Sequence, residues 1–351
     1  MVSPESFRGY VLEEVLAFLI RNSGYRLLVH PSQGDQLERR ANGLVVVGRG
    51  GLHQVDVLGQ LAWIPAFTFP IRLFVEAKFR DRPIGIDTVR NAIGVVNDLN
   101  QHYTRPSQST GPALQLFSYR YALFSTSGFT DDASQLALAH QISLIDLAGR
   151  DFADIRRMVQ ELAEVLLDRG KNIPRFISLA RMLIRQELET WPRGIPIDPR
   201  LEDFNRRDLI DHHARNVLHR LWELREFFIG VVNGPFLLLI RPDNVEHFLG
   251  RMHGRQTDTV AIHWSHAQDF GRRWTITPLD APGTYSLSFG LPETLAKWVF
   301  ADQQEVIRRA LDTKTRIFSE ITIYRYVDGR HQLYQLVYDA ERTQTMIRQS
   351  L

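Results

Sequence analysis

The chain contains no cysteine. Disulfide staples and cysteine-ligated zinc or iron–sulfur sites are therefore excluded. It has no apolar run of membrane-spanning length. Its opening, MVSPESFRGY, lacks the basic-then-apolar order of a signal peptide. A soluble cytoplasmic protein is expected, with no membrane partner. Neither sign of charge dominates, because 42 basic residues stand against 40 acidic ones. Bulk charge thus neither demands nor forbids a polyanion partner. Lysine is scarce: Lys78, Lys171, Lys297 and Lys314 are the only four, and every other basic residue is arginine. A lysine in the middle of an apolar strand then asks for a reason. Lysine is a compact charge whose pKa shifts readily, whereas arginine is a planar fork that stays protonated.

With 351 residues the chain exceeds what one hydrophobic core usually supports, so two domains are expected. Residues 5–22 carry an apolar stripe at helical spacing through Val11, Val15 and Phe18, and Gly24 follows as a terminator. LVVVG (44–48), VDVLG (55–59) and IRLFVEAKF (71–79) read as strands. A helix opened by Asp87 follows, then the strand YALFSTS, a helix from Asp131, and the short strand ISLIDL. Two helices broken at Gly170 and Pro174 lead to TWPRGIPIDPR (190–200), the best linker candidate. The remainder reads as a smaller α+β unit. It has a long helix from about Asn205 to Phe228, strands FLLLI, TVAIHW and YSLSF, a helix near 292–312, and a hairpin turning at Asp328-Gly329.

The informative stretch is VEAK. On a strand Glu76 and Lys78 point to one face, roughly 6.5–7 Å apart. An exposed ion pair contributes only about 0–1 kcal/mol, and a buried one costs several kcal/mol of desolvation per ion. Stability is a poor motive for placing them there; a polar cleft at the end of the sheet is a better one. Asp56 stands alone between two valines on the preceding strand, so its carboxylate and that of Glu76 can converge. Two carboxylates with waters and a substrate phosphate form a typical magnesium site, and Lys78 is placed to orient water or meet charge on the phosphate.

Asp56, nineteen intervening residues and Glu76-Ala77-Lys78 resemble the PD-(D/E)XK nuclease superfamily. Two further stretches narrow the resemblance to the Mrr-like restriction endonucleases. LEEVLAFLIRNSGY is similar to that family's FExLVAxLLxxxGY helix and aligns Glu13 with its glutamate. STSGFTDDASQLALAHQISLIDLAG is similar to its closing TTSxFTxxAxxxA…ILIDG. The resemblance covers about residues 6–152. It departs at GRGGLHQVD, where the family has a shorter GDGGVD, and in a longer 63–70 segment. It implies an α/β fold with a restriction-endonuclease-like mixed sheet flanked by helices over 1–155. A helical connector and Pro-rich linker over 156–200 and an α+β domain of recognition or regulatory role over 201–351 complete the expected organisation.

The implied activity is magnesium-dependent cleavage of double-stranded DNA in bacterial restriction or antiviral defence. Glu13, Asp56, Glu76 and Lys78 are the catalytic candidates, and Asp56 and Glu76 the metal ligands. His53, Gln54, Arg90, Ser125 and Thr126 are candidate DNA contacts. Each has a plain alternative: a turn histidine and its neighbour, a solvated helix face, and loop or helix capping. Glu14 borders the same apolar stripe as Glu13, and only the family register chooses between them. His212 and His219 are too far apart in sequence to share a zinc ion. One carboxylate–lysine cluster serves one strand, so a homo-oligomer is expected, with Leu218, Leu221, Trp222 and Phe227 as apolar surface for pairing. A fragment ending near Arg169 is expected to fold. The rival readings are a catalytically inactive nuclease-fold subunit beside a partner protein of a defence complex, and a branched-DNA or repair nuclease.

Overall fold

The computed structural model describes residues 3–40, 43–63, 68–104, 114–170, 173–197, 210–232, 236–267, 271–291, 315, 317–327 and 329–343. The helix expected near 292–312 and residues 205–209 of another lie outside them. Helix α1 (Pro4–Asn22) starts where the Ser3 hydroxyl accepts the Ser6 N–H and Pro4 supplies a preset φ. It ends before Gly24, whose φ of +84° suits glycine. Strands β1 (Tyr25–Leu27), β2 (Leu37–Arg40), β3 (Gly43–Val47), β4 (Leu52–Gln54), β5 (Val57–Leu61) and β6 (Ile71–Lys78) follow. Helix α2 (Ile86–Asn100) is capped by Gly85, without a side-chain bond. Asp87 is therefore not the cap expected; it sits in the first turn and pairs with Arg90. Strands β7 (Tyr103–Thr104), β8 (Leu114–Gln115) and β9 (Ser118–Ser125) lead to helix α3 (Asp131–Ala139) and strand β10 (Ser143–Asp146).

The main sheet has the order β1-β5-β6-β9-β10. The β1–β5 and β5–β6 pairs are antiparallel, and β6–β9 and β9–β10 are parallel. Both faces are covered, which is why β6 reads as an apolar run rather than as an alternation. Leu73, Val75, Ala77, Ala122 and Phe124 join the core built around α1. Phe74, Tyr121 and Leu123 join the other core, with Val89 and Ala92 of α2 and Ala133 of α3. The chain is thus a mixed α/β protein with several sheets, β2-β3-β4 and β7-β8 forming smaller ones.

Helices α4 (Ala153–Gly170) and α5 (Phe176–Glu187) break where expected. The connector expected over 156–200 does more than connect, because α4 and α5 pack on α1. Gly170 allows the turn: a Cβ there would stand 1.9 Å from the Phe176 ring. Helix α6 (His212–Leu221) is shorter than the expected 205–228. The Asp211 side chain accepts the Ala214 N–H and caps the start of the helix, and a 3-10 turn follows it.

The α+β unit expected over 201–351 is built on a closed barrel. Its strands are β11 (Phe228–Val232), β12 (Leu237–Pro242), β13 (Thr257–Ala267), β14 (Gly271–Pro278), β15 (Leu287–Phe289), β16 (Glu320–Val327) and β17 (Arg330–Tyr338). Helix α7 (Val245–Met252) lies between β12 and β13. The order is β11-β12-β15-β14-β13-β17-β16, closed by an antiparallel β11–β16 pair. The expected closing hairpin is β16–β17, with Gly329 at φ +77° in its turn. Phe248, Trp274, Phe289 and Phe318 form the barrel's apolar core.

The two halves share one core. Leu218 and Leu221 of α6, with Phe227, Ile229, Leu237 and Leu239, are buried with residues of α1, α4 and α5. Leu218, Leu221 and Phe227 are therefore not the free pairing surface expected of them, and Trp222 packs partly buried against Phe18. No helix among the described residues is long and apolar enough to cross a membrane.

Candidate active site

Asp56 precedes β5 rather than lying on it. The β5–β6 register, which sets Val57 opposite Val75, brings Asp56 to the carboxyl end of β6. Its Oδ2 accepts the Ala77 N–H at 2.8 Å, which fixes the carboxylate between Glu76 and Lys78 along the strand. On β6 itself, Lys78 Nζ stands 2.5 Å from Glu76 Oε1. The two share a face, as strand alternation requires, and keep 24% and 16% side-chain exposure, so they line a surface rather than close a core. Glu76 Oε2 accepts a short hydrogen bond from the Tyr121 hydroxyl. Tyr121 is itself fixed by stacking on Phe74, at 5.0 Å between ring centroids.

Helix α1 contributes a third carboxylate. Glu13 Oε2 lies 2.6 Å from Arg181 Nη2 of α5. Burial pushes the Glu13 carboxyl up to about 8; Arg181 pulls it down, while Asp56 and Glu14 push it up further. The single Arg181 charge is shared between two carboxylates, so it does not offset the burial of Glu13. Asp56 is also raised, first by burial, with the Ala77 N–H and Lys78 opposing and Glu76 reinforcing. Asp56 thus links Glu13 and Arg181 on one side to Glu76 and Lys78 on the other.

The chain was compared with protein-family models, curated proteins and solved structures. None matches it. The site is thus judged on its own chemistry.

That chemistry fits a small hard cation. Asp56 and Glu76 offer carboxylate oxygens from adjacent strand ends, and Asp56 uses only Oδ2 in its bond to the main chain. The Asp56 carboxyl, raised by burial, is a group that a divalent ion would stabilise as an anion. Among the described residues, no three His, Asp or Glu side chains are grouped closely enough for a ready-made cage. Magnesium commonly needs only one or two carboxylates and keeps several waters.

The other candidates divide. Ser125 lies opposite Lys78 in the β6–β9 register. Its hydroxyl donates to Gly128 O at 2.9 Å and accepts the Ser127 N–H. Thr126 Oγ1 accepts the Arg80 N–H at 3.0 Å. Thr126 thus ties the ends of β6 and β9 together, while Ser125 shapes the turn after β9; Thr130, not Ser125 or Thr126, caps α3. His53 Nε2 lies 2.7 Å from Asp98, which also accepts the Gly50 and Gly51 N–H groups. It thereby anchors the glycine turn to α2. Gln54 follows it on β4 and is also engaged. Arg90 is exposed on α2 and pairs with Asp87 at 2.9 Å.

Two residues, Tyr121 and Arg181, escaped sequence reasoning, and Glu14 was left undecided against Glu13. Tyr121 looks like core, and nothing local pairs it with Glu76. Glu14 is the more buried of the two glutamates, 1% exposed between Arg181 and Arg185. Arg181 carried one signal: with Arg185 it places two arginines one turn apart beside the apolar stripe of FISLARMLIRQE.

Proposed function

We propose that the chain is a magnesium-dependent endonuclease that hydrolyses DNA phosphodiester bonds. On this reading its first half adopts a restriction-endonuclease-like fold of the Mrr type. The observation that carries the reading is the Asp56–Ala77 bond, which sets Asp56 against a Glu76–Lys78 pair at one strand end. A retired site has no need to keep that geometry. Asp56 and Glu76 would hold magnesium, which supplies positive charge to the scissile phosphate and acidifies a bound water. Lys78 turns from Glu76 to the attacking water or to the charge gathering on the phosphate. Tyr121 keeps the Glu76 carboxylate in place. Thr126 ties the strand ends from which these groups project, and Ser125 shapes the turn after β9. The setting is a cytoplasmic restriction or antiviral role.

Plasmid cleavage in magnesium tests this. Asp56→Ala, Glu76→Ala and Lys78→Ala are each expected to abolish it while retaining the fold, since each removes charge from a cleft and leaves the core packed. Near wild-type cleavage by the Asp56 or Glu76 variant refutes the site. Methylated, unmethylated and branched substrates separate a restriction role from a repair role. A single cluster cuts one strand at a time, so double-strand cleavage calls for a second protomer. Light scattering should find a dimer or larger assembly at micromolar concentration.

One observation favours the non-catalytic reading. Both Glu76 oxygens are engaged, by Lys78 and by Tyr121. On that reading the cluster satisfies itself, and the chain binds DNA or a defence partner without cutting. DNA binding that leaves the substrate intact in magnesium and in manganese would favour it.

A further inference from the structure

Helix α5 lies outside the segment that carries the acidic motif, yet it reaches the candidate site. Arg181 donates from Nε to Glu14 Oε1 at 2.6 Å and brings Nη2 to 2.6 Å from Glu13 Oε2. One turn on, Arg185 donates from Nε to Glu14 Oε2 at 2.6 Å and from Nη2 to Glu14 Oε1 at 2.8 Å. Glu14 thus receives three charge-assisted bonds from two guanidinium groups, and Arg185 alone supplies two of them. A counter-ion for Glu14 does not account for the second arginine, because burying another cation has its own desolvation cost.

The free arm of Arg181 goes to Glu13. Its guanidinium also lies 5.2 Å from the centre of the Tyr10 ring. Held by Glu14, Glu13 and Tyr10, a planar fork cannot rotate without breaking a contact. Asp56 feels the same charge.

We propose that Arg181 is a positioning residue of the active site. It holds the Glu13 carboxylate in the cluster with Asp56, and Glu14, Arg185 and Tyr10 are its mount. The inference rests on the nuclease reading, and its test separates the two.

The experiment is steady-state plasmid cleavage in magnesium by the full chain and its Arg181→Lys, Arg185→Lys, Glu13→Gln and Arg181→Lys/Glu13→Gln variants. Thermal unfolding of each is followed alongside. Lysine keeps the charge but cannot span two carboxylates. Arg181→Lys is expected to lower kcat roughly 10- to 100-fold with KM nearly unchanged, the scale of effect for a group that orients a site residue. The double variant should be no slower than Glu13→Gln alone, because both changes break one contact. Arg185→Lys, which loosens Glu14 without touching the Glu13 bond, should lower the unfolding midpoint comparably and lose less activity. If Glu13→Gln is already at background, the comparison of the two lysine variants decides. Multiplying losses in the double variant, or equal losses from both lysine variants, overturn the positioning role and leave the nuclease reading standing. A wild-type chain that cuts no DNA overturns that reading and the role with it.

Discussion

Glu13 and Glu14 are neighbours in sequence with opposite chemistry. Two arginines hold the Glu14 carboxyl below its ordinary value in spite of complete burial, while burial raises that of Glu13. Glu14 therefore stabilises the fold above its unfolded pKa, and that stability is lost as pH falls through the depressed folded value. Glu13 works the other way. Between its ordinary 4.5 and about 8, the folded chain binds a proton that the unfolded chain has released, so stability falls as pH rises through that window. Glu13→Gln should flatten this slope in thermal unfolding between pH 5 and 8; an unchanged slope means that Glu13 does not titrate there. Glu14→Gln should cost on the order of 3 kcal/mol in denaturant unfolding at pH 7, because it removes a fully buried anion from two partly buried arginines. Losing less than Glu13→Gln at that pH would contradict the assignment. Asp56, Glu76 and Lys78 were legible because strand alternation and a single strand pairing place them. The choice between Glu13 and Glu14 as the buried partner was not. Adjacent helix positions differ by about 100° in direction, and only the docking of α5 decides which one it covers.

Helix α5 was read as connector from its position after Gly170 and before the prolines, and its break points were legible from glycine and proline. Its partner was not, because pairing across such a distance in sequence leaves no periodic mark. A chain ending near Arg169 lacks both arginines and the helix that covers Glu14, and it leaves the apolar face of α1 open on that side. Contrary to the expectation from sequence, that fragment should fail to fold cooperatively, whereas one ending after Glu187 regains the ion network. Circular dichroism melts of the two fragments distinguish these outcomes, and a sharp transition in the shorter one would count against the network. The break itself is equally constrained: Gly170→Ala should destabilise by about 1–3 kcal/mol, because the added methyl meets the Phe176 ring. Strands β11 and β14 escaped notice for a different reason. Each pairs with a sequence neighbour, β12 and β13, across a short connection; what leaves no local mark is the β11–β16 pair that closes the barrel, because its strands lie far apart in sequence.

The whole molecule is joined by the core that runs from α1 through α4 and α5 to α6, β11 and β12. Calorimetry should accordingly show one endotherm, with the first half and the barrel melting together. Two well-separated transitions would mean that the shared core contributes little. The same core bears on how the protein is made. During synthesis Lys78 emerges early, but the apolar face of α1 is not fully covered until Leu239 has left the ribosome. A chain still being translated thus holds its charged cluster on an unfinished scaffold, and a message truncated before the barrel yields a product without a settled site. A cluster of charge that is settled only after two thirds of the chain has been made is thus tied by the packing to the arrival of the barrel's first strands.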